Sequence, residues 1–135
     1  MKYKILDHPT DLRLLVQGKT YQELFTAGLK GMTEILAPHL ETPVKKSQRT
    51  ITLKSPDITA LLIDFLNEVL FLAQTYKEVY QEVNFQKLTE NSLIAKVWGR
   101  SIKEFKGDIK AITYHEAQIK KNLQGNWETV LVLDI

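Results

Sequence analysis

The sequence predicts an α+β fold: a mostly antiparallel β-sheet with two α-helices packed on it, in one domain over residues 1–135. Apolar residues recur at spacings of three and four in two segments, which is typical of helices that bury one face. Most other apolar residues alternate with polar ones in short runs separated by turn residues, which is typical of antiparallel strands. No linker or repeat divides the 135 residues, a length that supports one substantial core.

Two strands and a helix are predicted at the start of the chain. An apolar run over residues 3–6 and an alternating run over residues 12–17 predict the strands. Thr20 and Glu23 form a capping box, so a helix is expected to begin there and to end before Pro38.

A third strand and the second helix follow a polar connection over residues 38–48. The β-branched run over residues 50–53 predicts the strand. Ser55 and Pro56 supply an N-cap and a first-turn proline for a helix that continues to Tyr76. Its apolar stripe covers more than half of its surface, so we expect this helix to be the buried centre of the fold.

After residue 78 the hydrophobic period changes to two, which predicts an antiparallel meander. The predicted strands cover residues 79–85, 93–98, 109–119 and 127–133, the third with a bend near Tyr114 and His115. Residues 100–107 are predicted to form an exposed basic loop, and Gln124-Gly125-Asn126 a hairpin turn.

The composition excludes several classes of protein. Without cysteine, the chain has no disulfide, zinc–thiolate site or thiol nucleophile. A net charge of +2 is too small to indicate a DNA or membrane partner. No signal peptide is present, and Asp64, Asn67 and Glu68 interrupt the longest apolar segment, so no membrane span is expected. We therefore expect a cytoplasmic protein.

Acidic residues near the two ends of the chain form the first candidate site. Asp7, His8 and Asp11 follow the first predicted strand, and Asp134-Ile135 places a carboxylate beside the terminal carboxylate. If the first and last strands are neighbours, these oxygens converge, and a proton or a metal ion must neutralise them. Oxygen ligands favour Ca²⁺, Mg²⁺ or Mn²⁺, and a histidine would favour Mn²⁺. The alternative is a local turn and a surface aspartate at a frayed end.

The run from Lys110 to His115 is the second candidate site. Alternation divides it into two faces: Lys110, Ile112 and Tyr114 on one, and Ala111, Thr113 and His115 on the other. The alternative is an edge strand with a solvated lysine and histidine. Basic residues around Trp98 could face RNA, although interleaved acidic residues favour a solvated surface. The chain has no phosphate-binding glycine loop, nucleophile elbow or zinc-binding helix motif.

Four motifs together make the chain similar to archease, the accessory protein of the RtcB-type tRNA-splicing RNA ligase. They are Asp-His-x-x-Asp at residues 7–11, Leu-Leu-x-x-Phe-Leu-x-Glu at 61–68, Lys-Ala-Ile-Thr-Tyr-His at 110–115, and the closing Asp-Ile. The resemblance covers essentially the whole chain. It implies an archease-like fold in which Asp11, Asp134 and the terminal carboxylate of Ile135 bind a divalent metal ion, expected to be calcium in a crystal and magnesium or manganese in function.

The resemblance also implies a role. Archease is not itself an enzyme; it promotes guanylylation and turnover of the ligase, which uses GTP and Mn²⁺ to join RNA ends. Contact with RNA would then be indirect. Asp7 and His8 would support the metal ligands, and the partner-facing surface would include Lys110, Thr113, Tyr114 and His115.

Two departures from the family pattern stand out, and two other functions stay open. Pro9-Thr10 replaces the usual Thr-Ala, and the 100–107 loop is shorter and lacks a histidine. The same carboxylates could serve a metal-dependent phosphohydrolase with His8 or His115 as general base. The third hypothesis is a metal-stabilised, chaperone-like binding module.

Overall fold

The computed structural model describes residues 1–7, 10–38 and 47–135. In chain order its elements are β1 (Lys2–Asp7), β2 (Leu12–Gly18), α1 (Tyr21–Leu36), β3 (Ser47–Lys54), α2 (Ile58–Tyr76), β4 (Glu78–Leu88), β5 (Ser92–Ser101), β6 (Ala111–Thr113), β7 (Lys120–Lys121) and β8 (Trp127–Asp134). The predicted roles of His8 and of most of the polar connection fall outside the described residues.

The strands form two antiparallel sheets, and the two helices pack against both. The first sheet has the order β1-β2-β8-β6, with β7 also paired to β8, and the second has the order β3-β5-β4. Helix α1 packs against β1 and β2 of the first sheet and β4 of the second, while α2 packs against β3, β4 and β6. The α+β class is thus confirmed, with the predicted sheet divided in two.

Helix α1 begins and ends where its sequence predicts. The Glu23 amide donates to the Thr20 hydroxyl at 3.1 Å, and the Glu23 carboxylate accepts from the Lys19 amide at 3.2 Å. The helix ends at Leu36, before Pro38. Gly31 allows a close approach to β2, because a Cβ atom there would lie 2.7 Å from a methyl group of Leu14.

Helix α2 begins two residues later than predicted. Its N-cap is Asp57, whose carboxylate accepts from the Ala60 amide at 2.8 Å. Ser55 does not cap the helix; its hydroxyl donates to Asp64 at 2.5 Å. The prediction was wrong because both residues are good N-caps, and the Ser55 hydroxyl is instead bonded to Asp64, about two turns into the helix.

The apolar face of α2 forms much of the core. Phe65 packs against Phe25 of α1 and Phe85 of β4, with ring centroids 5.8 and 5.7 Å apart. The far end of the helix is more open, since Phe71 and Tyr76 are exposed.

By length and composition alone, α2 could cross a membrane, contrary to the prediction from its polar residues. It has 19 residues and a mean hydropathy of 1.4, with Asp64 and Glu68 as its only two acidic residues. In this fold its buried side chains pack into the shared core. Such a helix also occurs at the centre of many globular domains.

The second half of the chain differs from the prediction between β5 and β7. Residues 102–110 follow the first helix closely: the Lys106 amide donates to the Leu36 carbonyl at 2.8 Å, and Phe105 packs on the core. The prediction that residues 100–107 form an exposed loop is therefore partly wrong. Residues 109–119 were predicted as one long strand, or as two strands with a bend near Tyr114 and His115. Only β6 forms a strand there, and the chain turns at His115 and Glu116, the latter with φ of 61°, next to the predicted bend. The predicted final hairpin is confirmed, with Gly125 at φ of 79°.

Side-chain amides of α2 hold the short strand β6. The Asn67 amide donates to the Ile112 carbonyl at 2.9 Å and accepts from the Ile112 amide at 2.9 Å. Two turns further on, Gln74 donates to the Ile109 carbonyl at 3.0 Å. Asn67 thus supplies the backbone partners that a neighbouring strand would supply. Asn67 therefore fixes β6, the strand that lies beside the end of β8.

Replacing Asn67 by leucine should loosen β6. The change removes both hydrogen bonds to Ile112 and should lower the free energy of unfolding by about 1–3 kcal/mol. Urea unfolding would measure the loss, and hydrogen exchange at the Ile112 amide would locate it. Glu68→Ala, at the next position of the same helix, is the control and should leave that exchange rate unchanged. Equal exchange in both variants would contradict this role of Asn67.

Candidate metal centre

The ends of β2 and β8 bring two acidic residues together. These strands pair antiparallel, with Leu12 opposite Leu133, and Asp11 and Asp134 are the residues next to this last pair. Because side chains alternate along a strand, both carboxylates lie on the face away from the buried Leu133. Residues 123 positions apart in sequence thus share one edge of the sheet.

The third strand at this edge is β6. Ala111 lies opposite Asp134, and the Lys110 amide donates to the Asp134 carbonyl at 2.7 Å. The main chain at Asp134 is therefore held from the β6 side, next to its exposed carboxylate. The exposed Ile135 follows immediately and carries the terminal carboxylate.

Arg13 supplies a positive charge to the site. Its Nε atom lies 3.2 Å from Oδ1 of Asp11, and its Nη1 atom lies 2.8 Å from Oε2 of Glu116. The hydrogen bond to Asp11 is the main cause that raises the pKa of Arg13, and Glu116 adds to it. The guanidinium therefore stays charged and bridges two carboxylates on different segments.

The donor set matches a hard cation. Among residues 1–7, 10–38 and 47–135, no three His, Cys, Asp or Glu side chains group into a metal site. Asp11 and Asp134 are two candidate side-chain ligands, and the third ligand that the sequence predicts is a main-chain group. The terminal carboxylate of Ile135 is the adjacent candidate. Oxygen donors of this kind suit Ca²⁺, Mg²⁺ or Mn²⁺.

Asp7 is near this edge but faces the other way. It ends β1 opposite Leu12, and cross-strand partners point to the same face of a sheet. Its side chain therefore projects to the face opposite that of Asp11. His8, the predicted supporting residue, lies outside the described residues.

The predicted partner-facing residues divide between two surroundings. Lys110 is exposed, and Thr113 lies on β6 opposite Val132, on the same face as Asp134. Tyr114 instead reaches α2, where its hydroxyl donates a short hydrogen bond to Asp64. His115 is exposed, with Nε2 3.4 Å from Glu116.

Sequence reasoning missed Arg13 and Glu116. A signal for Arg13 was present, because strand alternation puts it on the same face as Asp11, two residues away. No comparable signal marked Glu116. Its position depends on a left-handed backbone conformation that a non-glycine residue seldom adopts.

The bond between Tyr114 and Asp64 should be visible in a titration. It is the main cause that raises the pKa of Tyr114 above its ordinary value of 10.0. The bond therefore stabilises the fold below about pH 10 and is lost as the pH rises through the raised pKa. In Asp64→Asn, tyrosine NMR titration should show the Tyr114 pKa falling towards its ordinary value. An unchanged pKa would contradict the contact.

Comparisons with known proteins agree with this architecture. Two solved structures share the fold. The solution structure of Methanobacterium thermoautotrophicum protein 1598 has a TM-score of 0.73 and 22% identity over 98% of each chain. The crystal structure of a Thermotoga maritima archease, described as a possible chaperone, has a TM-score of 0.69 and 22% identity over 98% of this chain and 96% of that one.

Sequence relatives extend over nearly the same length. The chain is 30% identical to protein archease of Methanosarcina barkeri, covering 99% of this chain and 96% of that protein. It is also 30% identical to protein archease of Thermoplasma acidophilum, covering 89% and 86%. The profile of the archease protein family (MTH1598/TM1083) matches residues 3–135. The chain therefore belongs to the archease protein family.

Proposed function

We propose that this protein is an accessory factor of an RtcB-type RNA ligase, and that it acts through a divalent cation held by Asp11, Asp134 and the terminal carboxylate of Ile135. It would promote guanylylation and multiple turnover of the ligase without catalysing a reaction itself. The observation that carries the proposal is the β2–β8 register, in which Leu12 pairs with Leu133, the chain neighbours of Asp11 and Asp134. Membership of the archease family supports it.

The three carboxylates would act as one anionic site. Close carboxylates repel each other, so a divalent cation that neutralises them is bound more strongly than by one carboxylate alone. The cation would supply charge neutralisation near a reacting phosphate, the main requirement of nucleotidyl transfer. The exposed side chain of Lys110 next to β6 would attract the same anionic partner groups.

Arg13 would partly neutralise the site when no cation is bound. In the absence of a cation, its guanidinium balances Asp11. When a cation binds Asp11, Arg13 would keep its ion pair with its second partner, Glu116. Cation binding would then replace the guanidinium at Asp11 by a divalent charge.

RNA ligation under multiple-turnover conditions tests the function. The ligase from the same organism, with GTP and Mn²⁺, should turn over faster with this protein than without it. Asp11→Asn, Asp134→Asn and a chain extended beyond Ile135 should each lose most of the stimulation while keeping the thermal stability of the parent. Asp7→Asn, which removes an aspartate of the opposite face, is the control and should stimulate normally.

Other outcomes would identify other functions. No stimulation at saturating protein would overturn the ligase role. Hydrolysis of a phosphoester by the purified protein, lost in Asp11→Asn, would favour the phosphohydrolase reading. Suppression of aggregation of unrelated proteins, unchanged in Asp11→Asn, would favour a chaperone-like module, the description given to the Thermotoga maritima relative.

Cation binding can be tested without the ligase. Arg13→Gln removes the competing positive charge, so we expect Mn²⁺ to bind about tenfold more tightly at low ionic strength, with a smaller gain in high salt. Isothermal titration calorimetry measures this change. Lys30→Gln alters the net charge equally at an exposed site on α1 and should leave the affinity unchanged. Weaker binding in Arg13→Gln would show that Arg13 organises the site and does not compete with the cation.

A further inference from the structure

Strand β1 is an open edge of the first sheet. It pairs with β2 on one side, and no other strand among the described residues pairs with its second side. Alternate residues of an edge strand direct their backbone N–H and C=O groups away from the sheet. These groups are available to another extended chain. β1 is also the most exposed of the longer strands, with only Leu6 partly covered.

The two faces of β1 have different chemistry. Tyr3 and Ile5 lie opposite Val16 and Leu14 on the core-facing side, yet both are 38% exposed. Lys2 and Lys4 lie on the other side, opposite Gln17 and Leu15, and are exposed as well. The edge therefore presents apolar side chains on one face and positive charges on the other.

A cavity adjoins the lysine-bearing side of this edge. It measures about 490 Å³ and is lined by Met1, Lys2, Tyr3, Lys4, Leu15 and Gln17. Its lining comes from both β1 and β2, so it lies where the side chains of an added strand would project. Leu15 gives the cavity an apolar wall, and the two lysines place positive charge at its rim.

We propose that the β1 edge is a docking site for an extended, acidic segment of a partner protein, which adds a strand to the first sheet. Backbone hydrogen bonds would provide the pairing, and alternate side chains would provide the selection. The segment would carry acidic residues on the side of Lys2 and Lys4 and apolar residues on the side of Tyr3 and Ile5. The inference does not depend on the carboxylate site or on the ligase.

Charge distinguishes this occupant from a second copy of the chain. Antiparallel pairing of β1 with its copy about a two-fold axis keeps equivalent faces on the same side of the shared sheet. Lys2 and Lys4 of both copies would then crowd one face, and like charges across strands are destabilising. An acidic strand gains from the same lysines. Their positive charge thus selects against self-pairing and for an acidic partner.

Labelled peptides test the proposal with the full chain. The probe is a fluorescein-labelled peptide of alternating glutamate and valine, compared with the lysine–valine peptide by fluorescence anisotropy. We expect the acidic peptide to bind at least about fivefold more tightly, because two cross-strand ion pairs replace two repulsions. Methylation of the alternate peptide nitrogens that would face β1 should abolish binding, since it removes the peptide's backbone hydrogen-bond donors.

Charge reversal provides the matched variants. Lys2→Glu/Lys4→Glu should reverse the preference, binding the lysine–valine peptide more tightly than the acidic one. Lys87→Glu/Lys103→Glu changes the net charge equally at exposed positions away from β1 and should keep the preference of the parent. Both variants alter exposed side chains, so thermal melts should match that of the parent.

Three results would overturn the proposal. One is equal affinity, or no affinity, for the two peptides. Another is binding that survives peptide N-methylation, which would mean that charge alone attracts the peptide. The third is protection of the β1 amides from hydrogen exchange that rises with protein concentration, which would identify a second copy as the occupant.

Discussion

The antiparallel register of β2 with β8 is the constraint on which the carboxylate site depends. It is fixed by burial: Leu14 and Leu131 face each other in the core, and each apolar side chain of this size contributes about 1.5–3 kcal/mol when buried. Two carboxylates about 4 Å apart in water repel each other by only about 1 kcal/mol. The core therefore dictates the position of Asp11 and Asp134. A slip of one residue would turn every side chain of β8 to the wrong face.

Polar residues of α2 connect the helix to neighbouring segments by hydrogen bonds. Asp64 accepts hydrogen bonds from Ser55, just before the helix, and from Tyr114, just after β6. Asn67 satisfies the backbone of Ile112. Asp64 thus joins the central helix to segments next to both sheets, and Asn67 joins it to the first sheet, which apolar side chains at these positions could not do. The positions that interrupt the apolar stripe are thus the ones that hold β6 beside the end of β8.

Local patterns in the sequence predicted most of the elements, but not how they pair. The capping box at Thr20 and the hairpin before β8 depend on neighbouring residues, and both are confirmed. The division into two sheets depends on pairings between distant strands, which no local pattern encodes. The same distinction applies to the site. Asp11 and Asp134 were predicted from their positions beside apolar runs, whereas Glu116 reaches Arg13 only because of an unusual backbone turn.

The position of β8 also has a consequence for how the protein is made. The last strand of the sequence lies in the interior of the first sheet, between β2 and β6. While the chain emerges from the ribosome, β1 and β2 can form only a two-stranded hairpin, which is marginally stable by itself. The sheet and its acidic edge can form only after β8 has left the exit tunnel. A polypeptide interrupted before β8 would thus lack Asp134 and also leave β2 without its central partner strand, exposed to quality-control proteases.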